Sequence, residues 1–174
     1  MERHTWIVPQ GTTQIDLNGH NITIQSEEAI MHLTDFNTSL DIVDTVKDRI
    51  TKFSVDPNTG KYVLNPSGDK ELHGGVIYGG KSEKGGAFII DANAFLAIHN
   101  INVVGNEADK GGCVYNSGVF AVSEGSLIAG NTAKIGGAVY NDKETSFINT
   151  GIITIMKGQK ELIRPCCLQL QWTA

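Results

Sequence analysis

Acidic residues beside paired glycines are the side chains in this sequence best placed for catalysis. Glu83 and Asp109 occupy equivalent positions in two copies of a repeat described below, and Lys134 holds that position in a third copy. A glycoside hydrolase needs two carboxyl groups about 5 to 9.5 Å apart, and residues stacked one repeat apart would lie near the shorter distance. Lysines adjoin both acidic residues, however, which is typical of a solvated, charge-balanced turn. We therefore expect no catalytic residues and no enzymatic activity.

The other reactive side chains predict neither a metal nor a cofactor. The five histidines share no metal-ligand spacing. The three cysteines, Cys113, Cys166 and Cys167, form no disulfide framework and no C-x-x-C pair. Cys113 aligns with Ala138 in the repeat, so we expect it to be a small buried apolar residue.

Composition excludes several functional classes for these 174 residues. Hydrophobic residues make up 40%, which excludes a disordered chain, and the formal net charge of -5 argues against a nucleic-acid-binding surface. No apolar run approaches the ~18 residues of a membrane-spanning helix. Glycine is abundant, at 20 residues, but has no three-residue period of the collagen type.

An internal repeat is the dominant feature of the sequence. Residues 105–116 (GNEADKGGCVYN) and 130–141 (GNTAKIGGAVYN) are identical at eight of twelve positions without a gap, and a fainter copy occupies 79–90. Between the copies lie short alternating apolar segments with glycine-containing turns. The glycine pairs at equivalent positions are Gly85 and Gly86, Gly111 and Gly112, and Gly136 and Gly137.

A period of about 25 residues built from short strands predicts an all-β protein, a parallel β-helix or β-solenoid with one coil per repeat. Equivalent residues of successive coils would then stack directly on one another. Glycine pairs would supply corner dihedrals closed to other residues. Asn106 over Asn131, and Asn116 over Asn141, would form side-chain amide ladders. Helical repeats are disfavoured because Gly-Gly and Val-Tyr segments are poor helix formers.

Tyr115 and Tyr140 form the aromatic pair that the register repeats. If Val114 and Val139 face inward, the tyrosines stand outside as a platform that could contact a glycan. If Cys113 and Ala138 face inward instead, the tyrosines belong to the core. Alternation permits both arrangements, and we favour the core placement.

The regular pattern is interrupted once and lost at the end. Residues 1–155 are expected to form one domain with an excursion at 45–72, where Pro57–Gly60 predicts the turn of a hairpin. Residues 156–174 lack the repeat. They predict either a cap or, as we favour, a truncated or out-of-frame end.

The segments Asn106–Asn116 and Asn131–Asn141 resemble the N-x-A-x-x-G-G-A-[IV]-Y repeat of polymorphic-outer-membrane-protein-like and adhesin-like surface proteins of bacteria and archaea. Residues 17–22 look like the first coil of right-handed parallel β-helix proteins. The resemblance implies a right-handed winding and a secreted or cell-surface location, but no catalytic residues. The chain starts without the apolar segment of a signal peptide, which is compatible with a cytoplasmic protein or with a fragment of a secreted one. Because of the repeats, we expect the fragment of a longer exported protein.

These observations lead to one functional expectation and one alternative. We expect a non-enzymatic surface module, adhesin-like or a stalk segment, that binds a host or microbial surface protein or glycan. Open coil ends would favour self-association. The alternative is a carbohydrate-active or glycan-binding domain of the lyase or glycosidase kind, which would need a carboxylate cluster in a groove.

Overall fold

The computed structural model describes residues 5–25, 27–34, 36–142 and 145–153. The predicted tail at 156–174, with Cys166 and Cys167, lies outside these residues. The described chain contains strands and turns and no helix. The strands are β1 (Trp6–Ile7), β2 (Gly11–Asp16), β3 (Ile22–Thr23), β4 (Met31–Leu33), β5 (Thr38–Val43), β6 (Ile50–Val55), β7 (Tyr62–Leu64), β8 (Lys70–His73), β9 (Val76–Tyr78), β10 (Lys81–Lys84), β11 (Phe88–Ile90), β12 (Phe95–His99), β13 (Asn102–Val104), β14 (Glu107–Lys110), β15 (Val114–Asn116), β16 (Val119–Val122), β17 (Leu127–Ala129), β18 (Thr132–Ile135), β19 (Val139–Asn141), β20 (Ser146–Asn149) and β21 (Ile152–Ile153).

The predicted β-solenoid is confirmed. Three parallel sheets contain five strands each, in the orders β1-β4-β11-β15-β19, β2-β5-β12-β16-β20 and β3-β9-β13-β17-β21. A fourth parallel sheet, β10-β14-β18, completes the three coils that carry the glycine pairs. Successive strands of a sheet lie one coil apart, so β11 pairs with β15 and β15 pairs with β19.

The residues that align between copies of the repeat are the residues that pair between stacked strands. Val114, Tyr115 and Asn116 of β15 lie opposite Val139, Tyr140 and Asn141 of β19, an offset of 25 residues. β11 pairs with β15 at an offset of 26, with Phe88 opposite Val114. Identical residues therefore contact each other across coils, as the sequence predicts.

One apolar core runs along the inside of the stack. Leu33, Ile90, Leu96 and Phe120 are among its fully buried members, and Cys113 is buried there too, as expected. Burial raises the pKa of the Cys113 thiol, because ionisation would place a charge in apolar surroundings. Stacking is what closes this core, since a single coil has too little apolar surface of its own.

Each glycine pair turns the chain between two sheets, and its two glycines are needed for different reasons. Gly85, Gly111 and Gly136 have φ angles of 61°, 71° and 68°, the left-handed region. The second glycines of the pairs, Gly86, Gly112 and Gly137, do not have a left-handed φ angle. A methyl group on Gly112 would instead collide with the carbonyl oxygen of Gly137 in the next coil. The first glycine supplies the corner dihedrals, as predicted, and the second allows two coils to approach closely.

The excursion contains more structure than the predicted hairpin. β6 and β7 pair antiparallel through a turn at residues 57–60, and β8 adds a third strand on the other side of β6. This sheet, β7-β6-β8, does not protrude freely into solvent. Phe53 is fully buried and packs with Val76, Val104 and Ala129 of the solenoid. The sheet is thus a flank of the solenoid with its own small core.

Candidate functional site

Asparagine side chains form both predicted ladders. Asn106 Nδ2 donates to Asn131 Oδ1 at 2.9 Å, and Asn106 Oδ1 accepts the Gly80 N–H at 2.9 Å from the preceding coil. In the second ladder, Asn116 Nδ2 donates to Asn141 Oδ1 at 2.9 Å. All four amides are buried. They satisfy backbone and side-chain groups at the coil corners, a structural role.

The structure matches neither of the two arrangements fully, because Cys113, Val114, Ala138 and Val139 all belong to the apolar core cluster. Neither tyrosine belongs to that cluster, and Tyr140 is half-buried. The rings stack on each other, with centroids 5.1 Å apart and planes inclined by 16°. Tyr115 is nevertheless only 8% exposed. The physical reason is coverage from the outer side, since neighbouring surface side chains close over its ring.

Each ring of this pair has a lysine near it as well as the other tyrosine. Lys84 Nζ lies 4.9 Å from the Tyr115 ring centroid, and Lys110 Nζ lies 5.4 Å from that of Tyr140. The Tyr115 hydroxyl donates to Asp142 Oδ2 at 2.9 Å. Burial, with this acceptor, raises the pKa of Tyr115 to about 12. A sugar ring stacking on Tyr115 would have to displace Lys84 or Tyr140, so Tyr115 is poorly suited to the predicted glycan contact.

The acidic residues singled out from the sequence lie on strands instead of in turns. Glu83 in β10 and Asp109 in β14 are both exposed. Asp109 Oδ1 forms an ion pair with Lys134 Nζ at 2.8 Å. The charge balance suggested by the sequence is therefore present, although on the outer surface of a polar sheet.

Two of the four histidines in the described part of the chain, His32 and His99, each pair with a single carboxylate. His32 Nε2 lies 3.0 Å from Asp91 Oδ2, and His99 Nε2 lies 3.0 Å from Asp41 Oδ1. Among the residues described, no group of three or more His, Cys, Asp or Glu side chains could hold a metal ion.

Two surface clefts lined in part by β10 were not predicted from the sequence. The first, here called the Tyr78 cleft, measures about 390 Å³ and joins residues 24, 25 and 27 to Lys61 and Tyr78. Its lining includes Ile24, Glu27, Lys61, Tyr78, Lys81 and Gly105. The second, the Glu83 cleft, measures about 460 Å³ and includes Thr5, Glu28, Glu83, Lys84 and Ile89. Glu27 borders both clefts.

Ion pairs surround the Tyr78 cleft. Lys81 Nζ lies 3.1 Å from Glu27 Oε2, and Lys61 Nζ lies 2.8 Å from Glu107 Oε2. The hydrogen bond from Lys61 lowers the pKa of Glu107, and the hydrogen bond to Glu27 raises the pKa of Lys81. Glu107 and Lys81 are thus charged at neutral pH. The sequence signal that could have indicated this cleft is the glycine that both repeat copies have at their first position, Gly105 and Gly130. Both glycines have left-handed φ angles, 64° and 57°.

No protein-family model, curated protein or solved structure matches this chain. In the part of the chain that the structure describes, no helix has the length and hydropathy needed to span a membrane.

Proposed function

We propose that this protein is a rigid, non-enzymatic module, adhesin-like or a stalk segment of a larger exported protein, that binds a partner at a cell surface. The N-x-A-x-x-G-G repeat supports this proposal, because it resembles the repeat of surface proteins. The partner class is a host or microbial surface protein or glycan.

One observation carries the proposal: the repeated polar residues are committed to bonds between coils. Asn106, Asn116, Asn131 and Asn141 connect neighbouring coils inside the stack, and Tyr115 stacks on Tyr140. Repetition of this kind gives length and stiffness, and it leaves recognition to the irregular parts, the flanking sheet and the clefts.

The test uses the purified full chain, fluorescently labelled and incubated with epithelial cells, with bacterial cells and with soluble pectin, alginate and hyaluronan. We expect saturable binding to one of the cell surfaces and no new reducing ends or 235 nm absorbance in the polysaccharides. The chemically unfolded chain serves as the control. Polysaccharide cleavage would contradict the non-enzymatic part of the proposal, and unsaturable binding equal to the control would contradict the adhesive part.

The Glu83 cleft supports a second candidate, a carbohydrate-active domain. It brings Glu28 and Glu83 to one cavity beside Lys84, and glycoside cleavage uses paired carboxyl groups. Glu28 already accepts hydrogen bonds from Thr5 N at 2.7 Å and Thr5 Oγ1 at 3.3 Å, which favours a structural role. Activity on the polysaccharides above that is abolished by Glu83→Gln, but not by Asp109→Asn, would establish this candidate.

A further inference from the structure

We propose that the Tyr78 cleft binds a neutral saccharide of one or two sugar units. This inference rests on the proposed function, because it names a ligand class for a binding module. It concerns a site formed by residues distant in sequence and separate from the Tyr115–Tyr140 pair.

The shape of the cleft suits a small flat ligand. Its volume of about 390 Å³ falls within the range of small-molecule sites. Gly79 and Gly105 are among its lining residues. Added methyl groups at these two positions would collide with the Ile24 carbonyl oxygen and the Tyr78 ring, respectively. Glycine at these positions therefore keeps the walls close together and the cleft narrow.

The aromatic wall is held in place before any ligand arrives. The Tyr78 ring packs edge-on against Phe53, with centroids 5.4 Å apart. Its hydroxyl accepts the Leu64 N–H at 3.3 Å. The flanking sheet thus fixes the orientation of this ring, and fixed aromatic rings reduce the entropic cost of binding. Apolar ring faces and C–H surfaces of a sugar pack well together.

The polar groups around the cleft favour a neutral, polyhydroxylated ligand. Lys61 and Lys81 line the cleft and provide donors, and Glu27 lines it and provides acceptors. Glu27 pairs with Lys81, and Glu107, which lies outside the lining, pairs with Lys61, so a carboxylate balances each lysine charge. A hydroxyl group both donates and accepts, so a sugar can satisfy both kinds of partner. An anionic or cationic ligand would meet no surplus of the opposite charge.

An extended peptide is a poorer fit for the same place. Peptides that bind by strand addition need a free strand edge. Here the Lys81 N–H already donates to the Glu28 carbonyl oxygen at 3.1 Å, so Glu28 blocks the start of that edge of β10.

Saturation-transfer-difference NMR on the full chain tests the proposal with glucose, galactose, mannose, N-acetylglucosamine, cellobiose and lactose. We expect saturation transfer to at least one of these sugars, with chemical-shift changes at Tyr78 and Lys81. Lys81→Gln and Glu27→Gln should each weaken the affinity of the protein for the bound sugar at least fivefold. The matched control is Lys134→Gln, which removes an exposed ion pair from the same sheet, at β18, and should leave the affinity unchanged. Circular dichroism checks that each variant folds.

Glucuronic acid is measured in parallel as a charged sugar. Three results would overturn the inference: no shift at Tyr78 or Lys81 with any of the six neutral sugars, binding of glucuronic acid only, or shifts centred on Tyr115 and Tyr140. The saccharide-binding test and the cell-binding test of the proposed function can give different results. Cell binding that persists without saccharide binding would overturn this inference alone. Saccharide binding without cell binding would support it and contradict the adhesive function.

Discussion

Tyr115 acquires a core-like environment on the outer side of a sheet. Tyr140 covers one side of its ring, Lys84 lies near the ring, and Asp142 accepts its hydroxyl hydrogen. Ionising this phenol would place a negative charge in a desolvated position beside a carboxylate, which is why its pKa rises to about 12.

The ionisation of Tyr115 gives a prediction for alkaline pH. The pKa of a tyrosine in an unfolded chain is about 10, so Tyr115 supports folding fully below pH ~10. That contribution is lost as pH rises through the folded value of about 12. Spectrophotometric titration at 295 nm should show one late tyrosinate step, and Tyr115→Phe should remove it. Asp142→Asn should lower its midpoint only in part, because burial is the larger cause. A late step that survives in Tyr115→Phe would contradict the assignment.

Asn106 gives a prediction for stability. Its side chain bonds to Asn131, to the Val104 carbonyl oxygen at 3.0 Å and to the Gly80 N–H, all in a buried corner. Asn106→Ala leaves several of these groups without partners, so we expect a loss of about 3 kcal/mol in the free energy of unfolding. Urea denaturation measures it. Asn58→Ala, in the exposed turn of the flanking sheet, is the control and should cost less than about 0.5 kcal/mol. Equal effects at the two sites would contradict a stabilising role for the ladder.

At the scale of the elements, alanine substitutions at three glycines measure the cost of backbone strain and the cost of steric collision separately. Gly11 has a left-handed φ of 100° but open space around it, Gly112 has the collision alone, and Gly111 has both. Alanine at Gly11 should cost about 1 kcal/mol, and alanine at Gly112 about 1 to 3 kcal/mol. Gly111→Ala should then cost roughly the sum of the two. Urea denaturation of the three variants checks this order, and a Gly11→Ala cost equal to that of Gly111→Ala would refute it.

Strands that repeat an apolar pattern could be predicted from the sequence, and polar strands or strands outside the repeat could not. The 25-residue offset is sufficient to predict the pairing of β15 with β19, because side-chain alternation and stacking leave one register. β10, β14 and β18 escaped prediction because their outer positions are charged and their segments lack apolar alternation. β8 was missed because its partner, β6, lies across a long turn-containing segment.

The candidate sites were harder to predict than the strands, because they depend on contacts between distant residues. The Asn ladders follow from repeat spacing alone. The Tyr78 cleft instead joins residues 24, 25 and 27 to Lys61 and Gly105, which no local pattern relates. The side of the sheet that Tyr115 occupies was equally undetermined, since alternation by itself does not indicate which face is inward.

For the whole molecule, the flanking sheet and the coils should open separately. The sheet attaches to the solenoid through a small cluster around Phe53, whereas the coils share the continuous core. Phe53→Ala should remove about 3 to 5 kcal/mol from this attachment and accelerate amide exchange in β6–β8 while β12 and β16 stay protected. Val63→Ala, on the same sheet at an exposed position, should leave exchange unchanged. Equal acceleration throughout the chain in Phe53→Ala would show one cooperative unit instead.

Because successive coils pair in the same register, a mutation that deletes or adds one whole repeat would keep the strands paired. Residues 105–129 form one complete period, so their removal would place Gly130 and Asn131 where Gly105 and Asn106 now lie. Asn131 would then receive the Gly80 N–H, and Val139 and Tyr140 would follow Phe88 and Ile89 in the same columns. Unequal recombination between two repeat-coding segments would thus remove or add a whole coil at once. The gene can vary in length in steps of one period while the stacking of the remaining coils is preserved.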